Sequence, residues 1–374
     1  MAAKDAYAGN EKILWKSIKN NDIGRLYLFF GPEGYLIRNY CEQMEMALLA
    51  DEFKMLNKVV LSGKVSPSQI IDNCRTSPVF SDRRMIIVKD SGLLKGGKKA
   101  EESTQLQEIQ ERKAGRTASG KKGDDELAAF LQELPEHVCL IFVETEIDKR
   151  AKRYLDIFEK NGLIVEFDYK KPDDLAAWTI KRIKELGHDA APLTAAMIVD
   201  YCEPGMDDVL NEIKKLCAFA GDRVLITEED VAKVCTRSVK SRVFDLTDAI
   251  AARKSRTAIS ILNDMEALRE PMPKVMYMIA RQFRQLLQTR LLLRDGAGSR
   301  EVAAFFKVPP FIADKLIRQA KSFEMKSLEA AAAAGLELDL AVKTGRIGDR
   351  AAVELMITGI SGKAFSGMLS ERRS

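Results

Sequence analysis

The chain has 374 residues, 46% hydrophobic and 30% charged, with a net charge of +4, the make-up of a soluble protein with room for two or three domains. No run of about 18 apolar residues occurs, which excludes a membrane-spanning helix. The N-terminal "MAAKDAYAGNEKILWKSIKN" lacks the apolar core of a secretion signal, so a cytoplasmic location is expected.

In chain order, the first 170 residues alternate in type. β-rich runs occur at Leu26–Phe30, Lys58–Leu61, Met85–Lys89, Cys139–Val143 and Leu163–Phe167. They are short and apolar on both faces, as buried parallel strands are. Between them, Leu36, Tyr40, Met44 and Leu48 recur at helical spacing, and Ser66-Pro67 reads as an N-cap followed by proline in the first turn. Strands alternating with helices predict a mostly parallel α/β sheet. One stretch departs from the pattern. Lys95 to Asp125, "KGGKKAEESTQLQEIQERKAGRTASGKKGDD", is polar and almost without large apolar residues. It reads as a mobile, disordered insertion, with a basic nucleic-acid arm as the alternative.

After Lys170 the β-rich runs largely stop. "KKPDDLAAWTIKRIKELG" has proline at a helix start, "DDVLNEIKKLCAFAG" ends on a C-cap glycine, and "VLITEEDVAKVC" carries a Thr-x-x-Asp start. These predict a small helical domain ending near Cys235. From Arg242 the chain is again helical: "RVFDLTDAIAARKSRTAISILNDM" and "PKVMYMIARQFRQLLQTRLLLRDGAG" are amphipathic, two shorter helices flank Val308-Pro309-Pro310, and two more complete the set. From Ser241 to Ser374 there are 22 Lys and Arg against 15 Asp and Glu. That basic third suits either a nearby polyanion or a solvated helical surface.

Candidate chemistry is sparse. Six scattered cysteines (Cys41, Cys74, Cys139, Cys202, Cys217, Cys235) include no C-x-x-C pair, which argues against a zinc site or a disulfide framework; they read as reduced, buried thiols. The turn after the first strand, "GPEGYLIR", is where a P-loop would hold phosphates. Counted from Gly31, the Gly, Lys and Ser/Thr positions of G-x-x-x-x-G-K-[ST] are Leu36, Ile37 and Arg38. The close-approach glycine, the β/γ-phosphate cation and the magnesium hydroxyl are therefore all replaced. The strand that would bring a metal-binding Asp ends in Lys89-Asp90-Ser91. His137 and His188, the only histidines, sit beside loops or helix ends and read as structural. No catalytic residue, metal or cofactor is expected.

A nucleotide-loop scaffold without nucleotide residues, followed by two helical regions, resembles the delta-subunit family of the bacterial DNA polymerase III clamp loader. The resemblance is carried by "LYLFFGPEGYLIRNYCEQM", "SPVFSDRRMIIVKD", "LIFVETEIDKR", "GMDDVLNEIKKL", "IARQFRQLLQTRLLL" and "LDLAVKTGRIGDRAAVELMI", in order across nearly the full length. It implies an AAA+-like α/β domain over residues 1–170, a helical lid domain over 171–240 and a helical collar domain over 241–374. It further implies no ATPase activity of its own, and a role in opening the sliding clamp (beta subunit) ring. The implied partners are the ATPase subunits, the delta-prime subunit and, through the assembled complex, primed DNA. Related loader subunits carry a four-cysteine zinc module and a Ser-Arg-Cys motif. Here the cysteines are dispersed and "ETEIDKRAKRY" stands where the motif would lie.

"SPVFSDRRMIIVKD" also carries a physical signal of its own. Val79 and Phe80 lie between the turn formers Ser77-Pro78 and the polar Ser81-Asp82-Arg83-Arg84, which suggests a loop or helix tip. The other reading folds Phe80 inward to cap the core. The resemblance assigns the pair to clamp binding, with Val79 where leucine is common. The rival functions are an active AAA+ ATPase, which needs the missing Lys and Ser/Thr, and a helix-turn-helix DNA-binding regulator using the helices around Pro309-Pro310.

Overall fold

The computed structural model describes residues 7, 9–63, 65–94, 119–148, 151–237 and 239–361. The chain divides into two compact units, residues 1–169 with 205–207, and residues 170–204 with 208–374.

In the first unit, α1 (Asn10–Lys19), β1 (Leu26–Phe30), α2 (Gly34–Leu48), α3 (Lys54–Asn57), β2 (Lys58–Ser62), α4 (Pro67–Arg75) and β3 (Arg84–Lys89) lead to α5 (Ser119–Phe130), β4 (Val138–Glu144), α6 (Lys152–Asn161) and β5 (Leu163–Glu166). The strands form one sheet of order β2-β3-β4-β1-β5 with every pairing parallel. The sheet is the α/β core expected from the sequence. Side chains alternate across it. One face, with Leu26, Leu28, Ile86, Val88, Leu140 and Phe142, packs against α4, α5 and α6 through Ile70, Ile71, Leu127, Leu131, Leu155 and Phe158. On α2 the buried residues are Leu36, Ile37, Tyr40, Cys41 and Met44, with the Tyr40 ring tilted against Phe167 and Phe167 edge-to-face with Phe29 of the other face. The predicted Ser66 cap of α4 is a complete capping box with Gln69.

Residues 95–118, most of the segment read as a disordered insertion, lie outside the described residues. The remainder of that reading is corrected: residues 119–125 begin α5. The physical reason is downstream of the polar run. Leu127, Ala128 and Leu131 are buried in the core, and that packed turn propagates the helix backward through residues too polar to announce it.

The second unit opens with helices Pro172–Glu185 and Pro192–Tyr201, most of helix Met206–Ala220, whose first two residues belong to the first unit, and helix Glu228–Val234. Two strands of two residues each, Asp189–Ala190 and Leu225–Ile226, pair in parallel; the sequence pattern gives no sign of them. The C-terminal bundle comprises Val239–Ala251, Ser255–Ala267, Met272–Arg294, Ser299–Phe306, Pro310–Lys321, Met325–Lys343 and Asp349–Ser361. The stretch beginning Arg242 is two helices, broken where Arg253 takes a left-handed conformation at φ 56°. The second of the two short helices is tied into the bundle. Buried Gln319 donates to Phe244 O (3.0 Å) and Asp248 Oδ1 (2.6 Å) and accepts from Gln282 Nε2 (2.7 Å). Close approach is used where Gly335 faces Ala280, whose Cβ lies 3.0 Å from the position a side chain would take. Among the described residues no helix is long and apolar enough to cross a membrane.

Candidate functional site

The turn after β1 has the position of a nucleotide loop, at the carboxyl ends of parallel strands. A cleft of about 440 Å³ opens there, lined by Gly31, Ile37, Arg38, Lys58, Lys89 and Asp90 among others. Its backbone is committed to other partners. Gly31 has φ 125°, and a Cβ there would sit 2.3 Å from Phe167 O. Phe167 bonds back to Phe30 O at 2.8 Å, and Glu33 N donates to Phe167 O at 3.0 Å. The amide of Gly34 is used by Pro32 O (3.0 Å), and that of Tyr35 by the Glu33 carboxylate (3.3 Å). Glu33 is buried and also accepts from Met206 N at 3.1 Å, Met206 belonging to the same unit. A helix N-terminus attracts an anion through its free amides; here the anion is the chain's own Glu33.

The three P-loop positions are accounted for as well. Leu36 and Ile37 are buried in the α2 face. Arg38 is exposed and forms an ion pair with Asp207. At the end of β3, Asp90 accepts from Thr145 Oγ1 at 3.3 Å, while the buried Glu144 carboxylate accepts from Ser91 N at 2.8 Å and from the Ser91 hydroxyl. Lys58 in the cleft is paired with Glu45. His137 lies just before β4, its carbonyl accepting Arg84 N at 2.7 Å, and the His188 Nδ1 is 2.9 Å from Arg223 O. All six cysteines are free. Burial pushes the Cys41, Cys74, Cys139 and Cys235 thiols up to about 12, far from a reactive thiolate.

Val79 and Phe80 are arranged quite differently. They occupy the irregular segment between α4 and β3. Phe80 is 82% exposed and Val79 38%. The inward-folded reading therefore does not hold. Phe80 also sits at φ 50°, a left-handed conformation that costs a non-glycine residue about 1–2 kcal/mol. Such a conformation persists only where the surroundings enforce it, and both flanks supply the means. On the entry side, Asn57, fully buried at the end of α3, accepts from Val79 N (2.7 Å) and donates to Val79 O (2.8 Å) and to Phe53 O (3.1 Å). On the exit side, Arg83 donates through Nη1 and Nη2 to Ile23 O (3.2 and 3.3 Å) and through Nη2 to Gly24 O (2.9 Å). Arg84, itself buried, donates to Leu56 O at 3.2 Å. The basic pair that follows the tip is therefore structural. Phe80 touches Phe53, ring centroids 5.5 Å apart, and on the same helical turn Met55 and Leu56 are 85% and 54% exposed. Sequence reasoning missed Asn57, Phe53, Met55 and Leu56. The one available signal was "FKMLN", three apolar residues in the short stretch just before β2.

Comparison with known proteins identifies the frame in which these residues stand. Residues 27–114 match the model of the family described as DNA polymerase III, delta subunit, and residues 240–360 match that of the DNA polymerase III delta subunit, C-terminal domain. The chain belongs to the DNA polymerase III delta-subunit family. The first delta match includes both the Gly31 turn and the Val79–Phe80 tip; the second spans nearly all of the C-terminal bundle. A curated DNA polymerase III subunit delta from Bacillus subtilis is 26% identical over 346 residues, covering 92% of this chain and 95% of the relative. The solved Bacillus subtilis DNA clamp loader delta protein superposes with a TM-score of 0.69 at 24% identity, covering 94% of this chain and 99% of that one. As a delta subunit of the clamp loader, this chain is placed in DNA replication.

Proposed function

We propose that this chain binds the sliding clamp through Val79 and Phe80 and opens the ring at one interface, using no nucleotide of its own. The observation that carries the reading is Phe80: a large aromatic ring, 82% exposed, in a left-handed conformation flanked by side-chain to main-chain bonds from Asn57 on one side and Arg83 on the other. A solvated loop has no use for such a device. An apolar pocket on a partner does, since burying a phenylalanine side chain yields about 1.5–3 kcal/mol. Met55 and Leu56 border the same tip and enlarge the apolar face offered.

Opening follows from differential binding. A ring under strain shifts to its open form if this surface binds that form better than the closed one. No bond is made or broken, so the chain is a non-catalytic subunit. The committed amides around Gly31 and the internal Glu33 carboxylate support a loop without ATP; on this reading hydrolysis belongs to the ATPase subunits of the loader. In the domain reading, residues 1–170 are the AAA+-like clamp-binding domain, 171–240 the lid and 241–374 the collar. The collar docks the ATPase and delta-prime subunits, and exposed Tyr277, Leu336, Leu340 and Leu355 offer apolar surface for this. Primed DNA is met through the assembled complex, in the cytoplasm.

The test is Phe80→Ala in the full chain, with surface plasmon resonance against the immobilised sliding clamp of the same organism and thermal melting of the same preparation. Loss of a hot-spot aromatic costs on the order of 2–4 kcal/mol, roughly thirtyfold or more in affinity. The melting temperature stays near that of the unmodified protein, because no core cavity forms. Val79→Ala acts in the same direction but more weakly, having less area to lose. Normal clamp binding by Phe80→Ala overturns the proposal.

A further inference from the structure

We infer that Asn57 is the positioning residue of the docking tip: it holds the backbone of Val79 so that Phe80 is presented already in its binding conformation. The inference rests on the clamp-docking reading above. Asn57 cannot touch a partner, since it is fully buried. Its carboxamide instead stands in for a neighbouring strand. Oδ1 accepts the Val79 amide at 2.7 Å and Nδ2 donates to the Val79 carbonyl at 2.8 Å, pairing both main-chain groups of one residue across 22 positions of sequence. The second Nδ2 hydrogen has its own acceptor, Phe53 O at 3.1 Å. Two bonds thus join the turn bearing Phe53, Met55 and Leu56 to the residue before Phe80, and the third fixes the carboxamide within that turn.

The arrangement matters for binding because an irregular loop that must be ordered on contact gives up affinity to its lost conformational freedom. Phe80 is next to the clipped residue and occupies a left-handed conformation it would seldom visit unaided. Val79 is fixed on one side and Arg83 on the other, and the ring between them lies beside Phe53. A buried asparagine with its polar atoms satisfied is a specific, geometry-setting group. Replacing it with aspartate keeps the acceptor for Val79 N but turns both donors into an acceptor facing carbonyl oxygens.

The experiment uses the full chain and the immobilised clamp, with four proteins: unmodified, Asn57→Ala, Phe80→Ala and the double variant, plus Asn57→Asp as a second probe of the donors. Asn57→Ala and Asn57→Asp are expected to weaken clamp binding roughly tenfold through a less ordered tip. In the Phe80→Ala background, adding Asn57→Ala should change affinity by less than about threefold, because the ring it positions is gone. Folded Asn57 variants that bind as well as the unmodified protein overturn the inference and leave the docking reading standing. Equal losses from Asn57→Ala in both backgrounds also overturn it, since they make the residue a general stabiliser. If Phe80→Ala itself binds normally, the docking reading fails first and takes this inference with it. Should the Asn57 variants fail to fold, hydrogen exchange of the Val79 amide in the unmodified chain decides. Protection of that amide, whose acceptor here is Asn57 Oδ1, supports the clip; exchange at the rate of an open loop overturns it.

Discussion

Phe80 carries two opposed demands in one side chain. Its ring suits a partner's pocket, while its φ of 50° suits glycine. Comparing Phe80→Gly with Phe80→Ala separates them. Both variants lose the ring and its contact with Phe53, and differ only in Cβ. The glycine variant is expected to melt higher than the alanine variant, by about 1 kcal/mol of stability at that temperature, while both lose clamp binding. Thermal unfolding of the pair checks it; an alanine variant as stable as the glycine one would show that the left-handed conformation relaxes without cost. At this scale the sequence was half legible. Ser77-Pro78 before the pair and charge after it pointed to a tip, and Val79 and Phe80 are indeed exposed. Asn57 was not legible, since an asparagine at a strand edge looks like any other until the fold brings Val79 within bonding distance. Glu33 was missed for a related reason. A glutamate in a glycine turn reads as solvated, whereas here it is buried and caps its own helix.

Among the elements, capping signals were read well because they are local. Helix Glu228–Val234 shows how much one such signal does. Thr227 Oγ1 accepts Asp230 N at 3.3 Å, and Asp230 Oδ2 accepts Thr227 N at 2.9 Å, which completes the capping box. Arg223 then adds two bonds to the same carboxylate, 3.0 and 3.1 Å long. Arg223 first, and the Thr227 amide next, hold the Asp230 carboxyl down at about 2. A carboxyl depressed in the folded state stabilises above its unfolded value of about 4, and that contribution is lost as pH falls from there through about 2. Asp230→Asn should therefore lower the melting temperature at pH 7, and the gap to the unmodified protein should close as pH is taken down from about 4 toward 2. A gap of constant size across that range would count against the ion pair as its source. Elements with weak local signals were read poorly. The strands of two residues at Asp189 and Leu225 bury too little to leave a pattern, and the start of α5 at Ser119 is written in tertiary packing near Leu127 instead of in its own polar residues.

For the molecule as a whole, the alternation of strands and helices, the order of regions and the failure of the P-loop letters were all in the sequence, because they rest on periodicity and composition. The way the loop was refilled was not. Restoring the letters therefore should not restore the site. A triple variant with Leu36→Gly, Ile37→Lys and Arg38→Ser rewrites the missing consensus. Yet Glu33 N still donates to Phe167 O, and the Glu33 carboxylate still takes the Tyr35 amide that a phosphate would need. Leu36 and Ile37 are moreover buried, so their loss removes apolar packing and leaves a lysine to be accommodated on the same face. The expected outcome is a protein that melts lower than the unmodified chain and is no more responsive to nucleotide. Thermal melting with and without MgATP reads this directly. A ligand present at a hundred times its Kd adds about 2.7 kcal/mol to folded-state stability, a shift large enough to see in a melting curve. Neither protein should show it. A rise with MgATP in the unmodified chain would mean that the cleft beside Arg38 and Lys58 still holds a nucleotide. A rise in the triple variant alone would mean that Glu33 and Phe167 yield their bonds more readily than their burial and spacing imply.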